Sequence, residues 1–356
     1  MRVLKLEGSP KSMGECFGET CRSEIQEFYA LRVQNAIQQA KKYGARDLSE
    51  EQVLAVAKEC LNFSEGFDPD GHKELVAMAR AANLAPEQVW ALNGLTDLRD
   101  ILAWSDLTMY MGGCSSFIVK GDKTSNGKTL CGQTWDLATD NMPFVLGVHR
   151  VPSDAPQTWS LTTAGCLSLI GMNEQGISIG TTNLRTRDAQ RGVCYLSIIH
   201  KVLSCRDIES AIDTVTNAVR AGGHYYYICD ATGKSFAVEC SAKQYELTSV
   251  DQGHHVECNH ILSDKLLPLE ADTPKNSSLC RISRMNQLIS SAPPESLSPE
   301  KMIEFLSDHE DGPGAICRHD LDDVSSNGAV VMSPEIGLMK ACHGYPCEAQ
   351  WVDLVS

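Results

Sequence analysis

The texture of the chain changes once, at Gly112-Gly113-Cys114, and that break limits the folds open to it. Before it, up to about residue 105, apolar residues recur at turns of three and four, the spacing of amphipathic helices. Met13 to Tyr43 carries this pattern after the punctuation Gly8-Ser9-Pro10. Ser49-Glu50-Glu51-Gln52 has the form of a capped helix start. Asp68-Pro69-Asp70-Gly71 reads as a turn, Glu74 to Ala82 as a further amphipathic stretch, and Ala85-Pro86-Glu87-Gln88 as the opening of a short helix. After the break the chain reads as short β-branched runs divided by turn residues. Ser115 to Lys120 and Thr129 to Trp135 predict a hairpin. Strands follow at Trp159 to Thr163, Ile177 to Thr182, Tyr225 to Cys229 and Ser235 to Glu239. Helices are expected at Cys194 to Val202, Ile208 to Val219 and Ile282 to Ile289, and closing strands at Val330 to Met332 and Ile336 to Lys340. Hairpins with grouped helices predict α+β layers rather than a doubly wound parallel sheet. The expected division is a helical segment over 1–113 and a strand-rich part over 114–356.

Charge narrows the partners. Lys plus Arg number 31 against 46 Asp plus Glu, a net charge of -15 across 356 residues. No basic stripe is present, so neither nucleic acid nor an anionic membrane is expected as a partner. The N-terminus lacks an apolar signal core, and no window is apolar for long enough to span a bilayer. Fifteen cysteines stand without a single Cys-x-x-Cys pair. With no export signal they are expected to be reduced, in the cytoplasm, and mostly packed as small hydrophobes.

Three tempting motifs carry little. Gly121 to Thr129 imitates a phosphate loop, but five residues separate its glycines and a strand follows where a helix is needed. Gly176-Ile177-Ser178-Ile179-Gly180 matches a nucleophile elbow in letters, yet the serine would lie along a strand. Ser178 is nevertheless the alternative nucleophile, of a serine hydrolase. His254, Cys258 and His260 share one face of an extended segment, the pattern of a metal constellation. No flanking cysteine pair closes such a site, so no metal is expected.

Cys114 is different because of its place, where helices stop and the first hairpin begins. A cysteine there can attack the carbonyl of Gly113 and release itself as a new N-terminal residue. The freed α-amine, with a pKa of about 7.7 to 8.0, would then serve as base for its own thiol. Gly113-Cys114-Ser115-Ser116 followed by Gly132-Gln133-Thr134-Trp135-Asp136 resembles the start of an N-terminal-nucleophile (Ntn) hydrolase catalytic chain. More narrowly it resembles the peptidase C45 family, which includes acyl-coenzyme A:6-aminopenicillanic-acid acyltransferase. Gly8-Ser9-Pro10 with Gly14 and Gly18, Glu74 to Ala79, Leu92-Asn93-Gly94, Gly171 to Gly176 and His343 to Cys347 resemble further pieces of that pattern in the same order.

The resemblance implies a four-layer αββα sandwich and a zymogen cut at Gly113-Cys114. It implies Cys114 as nucleophile, Asp136 as partner of the freed amine and Asn259 as oxyanion donor. Arg318 would contact a substrate carboxylate, with Asn183 as a supporting asparagine. Gln133 stands where the choloylglycine branch usually has arginine, which favours the acyltransferase branch. The expected activity is cleavage or transfer of an acyl group at an amide or thioester. The substrates would be small N-acyl compounds or amines, and the severed N-terminal chain would stay on as heterodimer partner. No cofactor is expected, though a coenzyme A thioester is admitted as acyl donor. A non-catalytic binding protein on the same fold is the remaining alternative.

Overall fold

A computed structural model describes residues 1–356 except 45–46, 103–112, 272–273, 275, 321–323 and 356. Two sheets lie face to face. The strands are β1 (Val3–Gly8), β2 (Ser116–Val119), β3 (Leu130–Ala138), β4 (Val145–Pro152), β5 (Thr158–Thr163), β6 (Ile170–Asn173) and β7 (Ser178–Asn183). They continue with β8 (His224–Cys229), β9 (Ser235–Cys240), β10 (Tyr245–Ser249), β11 (His254–Glu257), β12 (Val324–Ser333), β13 (Leu338–His343) and β14 (Val352–Asp353). One sheet has eight strands in the order β1-β4-β5-β6-β7-β8-β9-β10, and the other six in the order β11-β2-β3-β12-β13-β14.

The helices form the outer layers. α1 (Pro10–Thr20), α2 (Arg22–Gly44), α3 (Glu50–Phe67), α4 (Pro69–Ala81), α5 (Pro86–Asn93), α6 (Leu95–Leu102), α7 (Tyr195–Val202) and α8 (Ile208–Thr216) pack on the eight-stranded sheet. α9 (Asn276–Ser291) and α10 (Pro299–Leu306) cover the six-stranded sheet, burying Met285, Ile289, Met302 and Phe305 against Phe117, Val119, Val256 and Val331. Each such side chain contributes about 1.5–3 kcal/mol when fully removed from water. The α+β expectation holds, and the layers run helix, sheet, sheet, helix.

Between the sheets the fully buried Gln133 of β3 acts as a strut. Its Oε1 accepts from Thr181 N at 2.7 Å and its Nε2 donates to Thr181 O at 2.8 Å, on β7 of the facing sheet. Both ends of the amide are therefore satisfied in a dry interior, where an unmade bond would cost about 1–3 kcal/mol.

Several expectations need correction. The first hundred residues are not wholly helical: β1 lies parallel to β4, pairing Val3 with Gly147 through Gly8 with Pro152. Asp68-Pro69-Asp70-Gly71 is not a free turn, because Pro69 is the first residue of α4, where its missing N–H is no loss. The sequence reading also passed over α10, whose start is capped by the Ser298 hydroxyl accepting from Lys301 N at 3.2 Å. His343 is the last residue of β13, and Gly344 to Cys347 turn away from that strand.

The N-terminal helices close tightly because two glycines permit it. A Cβ on Gly14 would stand 2.2 Å from Glu74 O, and one on Gly18 would stand 2.3 Å from Met78 O. α1 therefore meets α4 backbone to backbone. Beneath this crossing Arg150 of β4 donates to Glu74 at 2.8 Å, an ion pair almost wholly removed from solvent.

Candidate active site

Cys114 sits at the head of β2, one residue after the isolated antiparallel bridge between Gly113 and Asp136. Gly113 N donates to Asp136 O at 2.9 Å, so the main chain on both sides of the Gly113-Cys114 peptide is anchored to β3. On the other side Thr134 N donates to Ser115 O at 3.0 Å, and Ser115 N donates to the Thr134 hydroxyl at 3.1 Å. Gly112, the first glycine of the motif, lies outside the described residues.

Two side chains hold the Cys114 backbone from the far side. Asn259, just past β11, accepts the Cys114 N–H on Oδ1 at 2.8 Å. Arg281 of α9 donates Nη2 to that same Oδ1 at 3.0 Å and Nη1 to the Cys114 carbonyl and to the Ser115 hydroxyl. Asn259 Nδ2 in turn donates to Asn183 O at 3.1 Å. Donors surround Oδ1 and a carbonyl faces Nδ2, so the network fixes which end of the amide points where. Arg281 was not among the residues singled out from sequence. It stands in a helix in no motif, and its contact with Cys114 spans 167 positions. No local signal could have found it.

Asp136 is fully buried on β3. Ser326 donates its hydroxyl to Oδ1 at 2.7 Å, while Oδ2 is buried with no hydrogen-bond partner among the described residues. Burial pushes its carboxyl up to about 6, although Arg281 and Arg318 pull it back. Burial likewise pushes the Cys114 thiol up to about 12. The Asp136 charge adds to that, and the Asp136 backbone amide and Arg281 oppose it. At neutral pH the buried thiol is therefore protonated.

Arg318 lies beside this cluster, only 1% exposed. Its N–H donates to the Ser326 hydroxyl at 3.0 Å, Ser326 N donates to its carbonyl at 3.0 Å, and Nη1 reaches the Ser277 hydroxyl at 3.5 Å. Ser326 therefore joins Arg318 to Asp136. Asn183 ends β7, where its Oδ1 accepts from Arg99 Nη2 of α6 at 2.9 Å and its carbonyl receives Asn259. The structure thus brings Cys114, Asp136, Asn259, Asn183 and Arg318 into one contiguous polar network. To these it adds Arg281, Ser326 and Arg99.

The other sequence candidates fall elsewhere. Ser178 is buried on β7 with its hydroxyl donating to Cys229 O at 3.3 Å, and a strand continues on to Asn183. The geometry of an elbow is therefore missing. His254 pairs with Asn286 at 3.0 Å and His260 with Ser278 at 2.7 Å, while Cys258 is buried near Arg281. Those three do not converge. Gly121 to Lys128 is the turn of the β2–β3 hairpin. A cavity of about 480 Å³ opens against Glu74, Arg150 and His200, and none of the site residues lines it.

A layered αββα sandwich is the layout of the Ntn hydrolases. The sequence profile described as acyl-coenzyme A:6-aminopenicillanic acid acyl-transferase matches residues 123–337. The chain belongs to that family. Asp136, Asn183, Asn259, Arg281 and Arg318 lie within the match, and Cys114 lies just before it. No curated protein matches the sequence. Among solved structures, a variant of conjugated bile acid hydrolase from Clostridium perfringens is 14% identical. That alignment covers 67% of this chain and 92% of the hydrolase, with a TM-score of 0.46. Penicillin V acylase from Agrobacterium tumefaciens is 13% identical over 68% of this chain and 86% of its own, also at 0.46. No helix among the described residues is long and apolar enough to cross a membrane.

Proposed function

We propose that the chain is a zymogen that cuts itself at Gly113-Cys114 and then works as a cysteine amidohydrolase or acyltransferase. The observation that carries the reading is Asp136 Oδ2, a buried carboxylate oxygen without a partner among the described residues, next to Cys114. A cation delivered at that spot would satisfy it, and the self-cleavage product is such a cation.

In self-cleavage the Cys114 sulfur attacks the Gly113 carbonyl carbon, the C–N bond breaks, and the Cys114 nitrogen takes up the thiol proton. Water then hydrolyses the Gly113 thioester, leaving a carboxylate at Gly113, the free thiol, and an α-amine on Cys114. In turnover that amine removes the thiol proton and the thiolate attacks the acyl donor. Protonation of the leaving group then gives an acyl-enzyme, which water or an amine resolves. Asn259 Oδ1 would hold the amine, and Asp136 would stabilise its ammonium form. In the expected oxyanion role Asn259 would instead use Nδ2, now engaged with Asn183 O. Arg318 would meet a substrate carboxylate with Asn183 behind the site.

Residues 1–113 and 114–356 would then be two chains of one heterodimer acting on small N-acyl compounds. A coenzyme A thioester would be admissible as acyl donor. The fifteen free thiols are in keeping with the cytoplasm.

Intact mass of freshly purified protein beside Cys114→Ala tests this. The parent should split into pieces of about 12 and 27 kDa, by residue fraction of the 38.9 kDa chain, while the variant stays whole. A parent that remains at full mass through prolonged incubation would refute the self-cleavage.

A further inference from the structure

Outside this site the described residues contain one convergence of sulfur and imidazole ligands. His309, Cys317, His319 and Cys347 bring one ligand atom each within 4.8 Å of the others. Three stretches of chain supply them: the loop after α10, the segment leading to β12, and the turn after β13. The spacing is that of a tetrahedron's edges. His309 Nε2 to His319 Nε2 is 3.1 Å, and His319 Nε2 to Cys347 Sγ is also 3.1 Å. Cys317 Sγ stands 3.5 Å from His319 Nε2 and 3.6 Å from Cys347 Sγ. Zinc bonds of about 2.3 Å to sulfur and about 2.0–2.1 Å to nitrogen give edges of roughly 3.3–3.8 Å in a tetrahedral S2N2 site.

Hydrogen bonding alone accounts poorly for this arrangement. Three neighbours crowd His319 Nε2, and a neutral imidazole nitrogen has one proton or one lone pair to offer. Two thiols and a second imidazole nitrogen are weak or competing partners for it. A cation at the centre would satisfy all four at once. The face and far edge of the His319 ring have neighbours of their own. The ring stacks on Tyr345 at 3.9 Å between centroids, and its Nδ1 lies 3.9 Å from the Glu348 carboxylate, beyond hydrogen-bond reach.

We infer that His309, Cys317, His319 and Cys347 form a Cys2His2 site for a soft divalent cation, zinc by preference. All four positions are protein ligands, so the metal would be structural, with no open coordination place for a reacting water. Its consequence for the catalytic site is positional. Arg318 lies between Cys317 and His319 in the chain, and its side chain reaches the Ser277 hydroxyl while its backbone N–H donates to Ser326, the residue that also bonds Asp136. The cation would clamp the segment carrying that arginine to the C-terminal turn at Cys347. Arg318 is a positioning target here, whatever the substrate.

Titration of the metal-stripped, reduced full-length protein with Co2+, followed by Zn2+, tests the site. The expected result is one equivalent of cobalt bound with intense visible d–d bands and thiolate charge-transfer bands, all bleached by zinc. His309→Ala and Cys347→Ser, both at solvent-exposed positions, should lose those bands while keeping the parental circular dichroism. Cys114→Ala should keep them. No uptake, bands unchanged in Cys347→Ser, or bands lost in Cys114→Ala would each overturn the inference. A Cys317–Cys347 disulfide in the freshly isolated protein would also overturn it, making the pair a redox bridge. Because the readout is optical, it stands or falls separately from self-cleavage.

Discussion

Asn259 turns its carbonyl end toward Cys114, with Oδ1 accepting the Cys114 N–H at 2.8 Å while Nδ2 is spent on Asn183 O at 3.1 Å. Peptide cleavage would convert that N–H into an amine without moving it, so the acceptor for the new base is in place beforehand. Asn259→Ala strands a buried donor at about 1–3 kcal/mol, which should slow self-cleavage roughly ten- to a hundredfold. Asn259→Asp keeps the acceptor and faces Arg281, so it should process faster than the alanine variant in a time course on denaturing gels. Equal damage from both variants would move the role to Nδ2 and the oxyanion.

The pH profile should follow Asp136. Burial raises its carboxyl to about 6, so it becomes an anion able to hold an ammonium only as pH climbs through that value. Self-cleavage and turnover are expected to rise as pH climbs through about 6, and Asp136→Asn should abolish this limb. For stability the sign is opposite. A carboxyl raised in the folded state favours folding below its usual value of 3.8, and that favour is lost as pH rises through about 6. Asp136→Asn should therefore melt no lower than the parent in mildly alkaline buffer. A variant with the parental rate profile would remove Asp136 from the chemistry.

Glu257 offers a test confined to stability. Its carboxyl is buried with neither oxygen hydrogen-bonded among the described residues, and burial followed by the charge of Glu239 raises it well above 4.5. His255 Nε2 stands 3.5 Å away, a spacing that suggests an ion pair. Burial drives that imidazole down to about 4, however, so His255 brings no charge to the pair near neutrality. The contribution of Glu257 to folding is present below 4.5 and is lost as pH rises toward its folded value. Glu257→Gln should raise the melting temperature in mildly alkaline buffer, with the gain shrinking toward pH 4.5. A constant gain across that range would show that ionisation is not involved.

The α1–α4 crossing predicts a contrast between two glycines. Gly18→Ala drives a methyl into Met78 O and should cost about 1–3 kcal/mol by overpacking. Gly66 of α3 has nothing within 4 Å of its would-be Cβ, so Gly66→Ala should be neutral or stabilising by up to about 1 kcal/mol. Parallel thermal melts decide it, and equal effects would mean the close approach is not tight.

What the sequence disclosed was local. The β2–β3 hairpin showed in β-branched runs around turn residues, and α7 showed in its periodicity. β1 stayed hidden because only Leu6 of its six residues is buried, which leaves little apolar signal beside the strong helical pattern that follows. Asp136 and Asn259 stood in family-like words, whereas Arg281 and Arg99 reach the site only through folding and sit in ordinary helical text. The His309 cluster left one trace, Cys317-Arg318-His319, whose remaining members lie too far along the chain for any spacing rule. His254, Cys258 and His260 made the better pattern on paper, but separate partners draw them apart.

β1 gives the molecule a last property. Residues 3–8 are bonded along their length to β4, and Gly113 is bonded to Asp136, so a cut at Gly113-Cys114 would leave both ends of the first piece held by the second. Unfolding the clipped protein would then be a dissociation as well. Its melting temperature should climb with protein concentration by mass action, while that of uncut Cys114→Ala should not. The clip would exchange a chain that can refold alone for a pair that must first find each other.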